Sequence, residues 1–279
     1  MILSIASGKG GTGKTSLACA LARVLGSRAA LLDCDVEEPD CALFLGPEIK
    51  FKKDFTVEVP RIDPKKCSGR GRCQEVCEYN AIKLFNGKPF LFEHMCHSCG
   101  GCSIACPELA ITEVPHKAGK LRSGMAGEFF FADGLLDIGE ASPVRLIKAV
   151  KKLAPAGRDI IIDCPPGTSC PMIAAVTGSD FCLLVSEPTP FGLSDLKLAV
   201  ETLEKIKVPH ALVINRADLG DGEMERWCGE KRLKILLKIP FDREIAAAYS
   251  RGLTLLDARP EYKMALNSLF SSLKAEATA

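Results

Sequence analysis

The stretch GKGGTGKT, residues 8–15, constrains the fold more than any other part of this 279-residue chain. It follows a short apolar run, Ile2 to Ala6, and precedes SLACALARVLG, whose apolar residues recur at helical spacing. A strand, a glycine-rich turn and a helix in that order fit the phosphate-binding loop, with Gly8, Gly13, Lys14 and Thr15 at the required positions. Glycines let backbone N–H groups curl around phosphate oxygens, and the helix N-terminus adds positive potential. The candidate cradle comprises Gly8, Gly10, Gly11, Thr12, Gly13, Lys14, Thr15 and Ser16. Lys14 is expected to reach the β- and γ-phosphates of ATP, and Thr15 to ligate Mg2+.

The rest of the chain repeats this grammar. AALLDCD (29–35), RDIIIDCPPG (158–167), DFCLLVSEP (180–188) and HALVINR (210–216) are apolar runs that end in polar residues. Helical patterns lie between them, as in SPVRLIKAVKKLA (142–154) and LSDLKLAVETLEKI (193–206). Continuous apolar strands alternating with helices predict an α/β fold, a mostly parallel P-loop NTPase sheet with helices on both faces. Ligands of such sheets bind beyond the carboxyl ends of the strands, where the polar residues gather.

Residues 60–115 break the pattern. Seven of the 14 cysteines fall between 67 and 106, and Cys67, Cys73 and Cys77 recur 29 residues later as Cys96, Cys102 and Cys106. Ala81-Ile82 recur as Ala110-Ile111 at the same offset, while the mate of Cys99 is Arg70. Asn86-Gly87 between short apolar runs predicts a hairpin joining the halves. CHSCGGCSIACP (96–107) is C-x2-C-x2-C-x3-C-P, the bacterial-type ferredoxin spacing, whereas zinc sites use two separated CxxC pairs. The expected organisation is an ATPase domain formed by 1–59 and 116–279, with a small inserted α+β ferredoxin-like domain at 60–115. The other cysteines, Cys19, Cys34, Cys41, Cys164, Cys170, Cys182 and Cys228, stand among apolar residues and are expected to be buried.

In two-cluster ferredoxins the fourth cysteine of each motif serves the other cluster. Cys77, Cys96, Cys99 and Cys102 then make a complete [4Fe–4S] site. Cys67, Cys73 and Cys106 make a second site in which Arg70, a permanent cation, cannot ligate. Three states stay open for it: a [3Fe–4S] cluster, a [4Fe–4S] cluster with a water or external ligand, or an empty site in which Arg70 pairs with Glu75 or Glu78. Glu78 stands where a proline would follow Cys77.

Lys9, a second lysine inside the loop, makes the stretch resemble the deviant Walker A motif of the MinD/Mrp superfamily. SEPTPFGLSDLKLAVE (186–201) and GEFFFADGLLDIGEASPVRLIKAV are similar to the branch with an inserted ferredoxin domain, and the resemblance covers nearly the whole chain. It implies an ATP-dependent dimer, homodimeric or heterodimeric with a related ATPase, in which Lys9 reaches the partner's nucleotide. It also implies that Asp35 serves switch I at Mg2+ or the attacking water, and that Asp163 is the Walker B aspartate. The same resemblance implies that Gly167 is the glycine of switch II, that Asn215 reads adenine, and that the backbone around Ile239–Asp242, including Pro240 and Asp242, packs beside the base. Asp33 is open to either a metal role or the satisfaction of loop N–H groups.

The implied activity is a slow or partner-stimulated Mg-ATPase that couples nucleotide state to iron–sulfur clusters. Its use would be gated electron transfer, or cluster assembly and delivery, with a redox or cluster-carrier protein as partner. The alternative is an ATP-responsive scaffold with structural clusters. A net charge of +1 without basic runs argues against nucleic acid. No apolar run approaches about 18 residues and MILSIASGKGG lacks a signal-peptide pattern, so a cytosolic location is expected. The tail places Leu266, Leu269, Phe270 and Leu273 on one helical face, which fits packing on the body better than a membrane surface because basic residues are few.

Overall fold

A computed structural model describes residues 1–141 and 143–278; Ser142, first of the predicted helical stretch 142–154, and the terminal Ala279 lie outside the described residues. The strands are β1 (Ile2–Ala6), β2 (Ala29–Asp33), β3 (Glu48–Ile62), β4 (Ile82–Phe85), β5 (Lys88–Leu91), β6 (Ile111–Ala126), β7 (Phe129–Leu136), β8 (Asp159–Asp163), β9 (Phe181–Ser186), β10 (His210–Asn215) and β11 (Ile235–Ile239). The helices are α1 (Lys14–Leu25), α2 (Cys41–Leu45), α3 (Arg72–Glu75), α4 (Gly101–Ile104), α5 (Pro143–Lys151), α6 (Cys170–Val176), α7 (Pro190–Lys205), α8 (Glu223–Lys231), α9 (Arg243–Tyr249), α10 (Leu255–Ala258) and α11 (Tyr262–Thr278).

Nine strands form one sheet in the order β11-β10-β9-β1-β8-β2-β7-β6-β3. The pairs from β11 through β7 are parallel; β6 and β3 add an antiparallel edge. Alternate residues along the central strands face opposite ways, and each set has its own helical cover. Leu3, Ile5, Leu31 and Ile161 pack with α1, α10 and α11. Ala30, Leu32, Ile160 and Ile162 pack with α5 to α8. Leu266, Leu269, Phe270 and Leu273 of α11 are buried in the first of these layers, so the tail packs on the body. Among the described residues no helix is long and apolar enough to cross a membrane. Of the seven scattered cysteines six are buried, but Cys170 is exposed at the start of α6, a correction to the expectation.

The long strands β3 and β6 have no counterpart in the sequence reading, because most of β3 is exposed and lacks an apolar run. They pair from Ile62–Ile111 back to Glu48–Met125, crossing the expected junctions at 60 and 115 as one continuous ribbon. The cysteine segment sits at its far end. There the 29-residue repeat is structural as well as sequential. α3 and α4 start at 72 and 101 after Gly71 (φ 80°) and Gly100 (φ 75°). Ile82 pairs with Leu91 just as Ile111 pairs with Ile62. Asn86 (φ 50°) and Gly87 (φ 73°) form the expected two-residue hairpin turn.

Candidate nucleotide site and cysteine centres

Register brings the nucleotide residues together. Asp33 of β2 lies opposite Asp163 of β8, which lies opposite Ile5 of β1, so the glycine loop and both acids emerge side by side. Two glycines are required by close approach. A Cβ on Gly8 would stand 2.4 Å from the Asp195 carbonyl of α7, and one on Gly13 (φ 97°) would stand 2.7 Å from the Asn215 amide. Lys14 is buried at the loop, whereas Gly10 and Gly11 are exposed and Ser16 half-buried.

Thr15 Oγ1 donates to Asp163 Oδ2 at 2.6 Å, and the Cys41 thiol donates to the same oxygen at 3.5 Å. Asp163 Oδ1 is buried without a hydrogen-bond partner among the described residues. A buried anionic oxygen left unpaired beside a threonine hydroxyl fits a hydrated Mg2+. Burial pushes the Asp163 carboxyl up, opposed first by the Lys14 charge. Burial, then repulsion from Asp163, pushes Asp33 well above the carboxylate range. Asp33 accepts the Asp35 N–H at 3.1 Å and the Cys41 N–H at 2.9 Å, so it organises the loop that follows β2. Asp35 is only half-buried; burial raises it to about 7, with Lys14 again opposing.

Gly167 (φ 88°) donates its N–H to the Ser7 carbonyl at 3.0 Å, tying the segment after β8 to the glycine loop. Asn215 donates to the Thr12 carbonyl at 2.9 Å and accepts from the Arg216 N–H at 3.0 Å. It pairs in register with Ile239, so Pro240 and Asp242 emerge beside it. The Asp242 side chain is committed elsewhere: it accepts the Glu244 N–H at α9 and pairs with Arg259 at 2.6 Å. Sequence reasoning missed Glu187, which is buried just past β9. It holds Lys9 at 3.6 Å and Arg216 at 2.7 Å. An acid directly after an apolar strand was its available signal.

The cysteines segregate into two cavities. Cys77, Cys96, Cys99 and Cys102 line one, with Tyr79 and His97; Cys67, Cys73 and Cys106 line the other, with Arg70 and Glu108. Backbone N–H groups point at the sulfurs: Ala81 to Cys77 at 3.3 Å, Ala110 to Cys106 at 3.4 Å and Ser98 to Cys96 at 3.4 Å. Burial raises the Cys73 and Cys96 thiols and takes Cys102 up to about 11. Among the described residues only Asp33, Cys41 and Asp163 bring three such donor atoms within 4.8 Å of one another. No three sulfurs of the cysteine segment therefore close to the spacing of about 3.8 Å that one tetrahedral zinc would impose. That donor set suits a polynuclear iron–sulfur group. Arg70 differs from expectation. It pairs with Glu108 at 3.0 Å, while Glu75 pairs with Arg72 at 2.9 Å.

Two further contacts join the segment to the sheet domain. Arg145 of α5 donates to the Ser98 carbonyl, between Cys96 and Cys99. His116 of β6 stands 2.8 Å from Glu140 and 3.9 Å from Glu93.

Residues 3–255 match the CobQ/CobB/MinD/ParA nucleotide binding domain. The chain belongs to this family. An uncharacterized protein of Methanocaldococcus jannaschii is 30% identical over 261 residues, 92% of this chain and 91% of its own. The iron-sulfur cluster carrier protein of Aquifex aeolicus is 22% identical over 95% of this chain and 64% of its own length. An uncharacterized ferredoxin of M. jannaschii is 44% identical over 48 residues, 16% of this chain and 32% of its own. The septum site-determining protein MinD of Pyrococcus horikoshii, solved with Mg-ADP, superposes with a TM-score of 0.58 at 20% identity over 96% of this chain and 93% of its own. The CobQ/CobB/MinD/ParA nucleotide-binding domain is thus the frame that carries the cysteine segment on its sheet edge.

Proposed function

We propose that this protein is a dimeric Mg-ATPase whose nucleotide state governs a pair of iron–sulfur centres in the segment 60–115. ATP is held by the backbone of residues 8–16, with Lys14 neutralising the β- and γ-phosphates. Thr15 and Asp163 hold Mg2+, Asp163 through its free Oδ1 and by way of water. Asp35 orients the attacking water; burial raises its carboxyl to about 7, and the positive charge of Lys14 opposes that rise. Lys9 leaves Glu187 and crosses to the nucleotide of a second copy or of a related ATPase. Gly167 senses the γ-phosphate by exchanging its N–H bond to the Ser7 carbonyl for one to the phosphate, and Asn215 with the turn at Pro240 holds the base. Cys77, Cys96, Cys99 and Cys102 hold one [4Fe–4S] cluster, and Cys67, Cys73 and Cys106 hold the other centre. A cluster bound there would take up and release single electrons.

One observation carries the reading, three hydrogen bonds spaced along the chain between the two sites. The Val36 carbonyl, one residue past Asp35, accepts the Leu136 N–H at 2.8 Å. The next residue, Asp137, donates to Ala118 of the ribbon at 3.0 Å, and α5 beyond it presents Arg145 to the cysteine loop. Movement of the loop after β2 with γ-phosphate loss is thereby transmitted to the loop that bears Cys96 and Cys99. The Aquifex relative named a cluster carrier supports a second use of the same coupling, delivery of a cluster to an acceptor protein. The test is EPR-monitored redox titration of the iron-loaded protein with no nucleotide, with ADP and with ATP. A nucleotide-dependent midpoint, together with ATP turnover that depends on cluster oxidation state, is the expected result. Identical midpoints and redox-blind turnover would leave a scaffold with structural clusters.

A further inference from the structure

We propose that Glu108 supplies an oxygen ligand at the corner of the second cysteine site where Arg70 replaces a cysteine. The inference rests on the reading above that the segment holds iron–sulfur clusters. The 29-residue offset maps Arg70 to Cys99, Ser68 to His97 and Tyr79 to Glu108. In the first site His97 and Tyr79 stack, ring centres 3.6 Å apart and planes at 14°, and Cys99 completes the thiol set. In the second site all three positions differ and all three meet on one carboxylate. Ser68 Oγ donates to Glu108 Oε1 at 2.6 Å, and Arg70 Nε stands 3.0 Å from the same oxygen.

A site that had merely lost a cysteine would need no change at the other two positions. Here the side chain at the cysteine's position grips an anion instead. Oε1 takes both of those contacts, and among the described residues Oε2 accepts only the Cys106 thiol at 4.0 Å, in the cavity lined by Cys67, Cys73 and Cys106, a bond that ends when that thiol is deprotonated to ligate. Ligating carboxylates are held by hydrogen bonds of this kind, which fix the free oxygen toward the metal. Arg70 cannot bind iron, but it can aim the group that does. Iron accepts carboxylate oxygen, and an oxygen-bound corner exchanges more readily than a thiolate-bound one. Glu108 thus makes the second centre a four-iron cluster with one labile corner.

The experiment is iron and sulfide analysis with Mössbauer and EPR spectroscopy of the whole chain, reconstituted anaerobically. Wild type should hold about eight iron atoms. Glu108→Gln should fall to about seven, with an oxidised [3Fe–4S] signal that wild type lacks. The double change Arg70→Cys with Glu108→Gln should return to about eight, which also shows that the glutamine variant folds. A wild type with about seven iron atoms and that signal, or a Glu108→Gln variant unchanged in iron and spectrum, overturns the assignment. About four iron atoms in a single cluster overturns it and removes the second centre, while leaving the coupling of nucleotide to the Cys77–Cys102 cluster standing. A chain that binds no iron at all overturns both.

Discussion

The nucleotide site and the cysteine segment are built on opposite plans. Thr15 meets Asp163 across 148 residues and Thr12 meets Asn215 across 203, each carried there by a strand of the buried sheet. The two cysteine centres are closed by residues at most about 40 apart, as Ser68 and Glu108 are. The nucleotide site inherits its rigidity from two apolar layers. The cysteine segment buries little beyond Ala81, Ile82, Ala110 and Ile111. On the proposed reading, a region that small is stabilised chiefly by the clusters its thiols would hold. One site is a product of the fold; the other is expected to be a condition for part of it.

That contrast can be broken most directly by removing metal. Chelation, or Cys99→Ser, should strip amide-exchange protection from residues 67–106 while the central strands keep theirs. Equal loss in both regions would show that the segment is not separately metal-dependent. Lys14→Ala should weaken ATP binding on the order of 100-fold by calorimetry and leave the iron content unchanged, because the lost contact is a charge-assisted one to phosphate. Lys9→Ala should keep nucleotide affinity within a few-fold but abolish ATP-dependent dimerisation and turnover, as read by light scattering and phosphate release. Survival of both would keep Lys9 with Glu187. Arg145→Ala should leave both sites occupied and each chemically competent, yet erase the nucleotide dependence of the cluster midpoint.

The smallest effect concerns pH. The Asp35 carboxyl titrates at about 7 in the fold, above its ordinary value of 3.8. Its ionisation therefore costs stability, and the cost grows as pH rises from about 4 to about 7 and is then constant. Asp35→Asn should raise the melting temperature of the nucleotide-free protein by a few degrees at pH 8, a gain that fades toward pH 4. A gain that is the same at both pH values would mean that the charge of Asp35 is not what strains the apo site.

Legibility in the sequence followed the same divide. The parallel strands announced themselves as apolar runs because they are buried on both faces, and the glycine loop announced itself by spacing. The ribbon strands did not, since an exposed two-stranded arm needs no apolar run; Val57, Val59 and Ala118 are its small buried patch. Cysteine spacing separated the two centres into the sets that line the two cavities. Residues whose role lies in a contact with a distant neighbour were hard to read: Glu187 under Lys9, marked only by following an apolar strand, Arg145 on the Ser98 carbonyl, and Glu108 on Arg70. Nothing in one dimension marks a salt bridge between separate segments. The exception is Glu108, whose offset from Tyr79 could have been read in the repeat.

The β3–β6 ribbon has a mechanical consequence. β7 pairs with β6 only from Gly119 onward, so the eight residues of β6 from 111 to 118 run on with β3 alone. At about 3.3 Å per residue they extend about 26 Å, and a tilt of about 5° at the root would swing the tip by about 2 Å. Arg145 and Glu140 tether that swing from the side of α5. The arm is then a cantilever with its strain gauge at the sheet edge, and the position of the cysteine cavities at its tip becomes a quantity that the sheet domain can set.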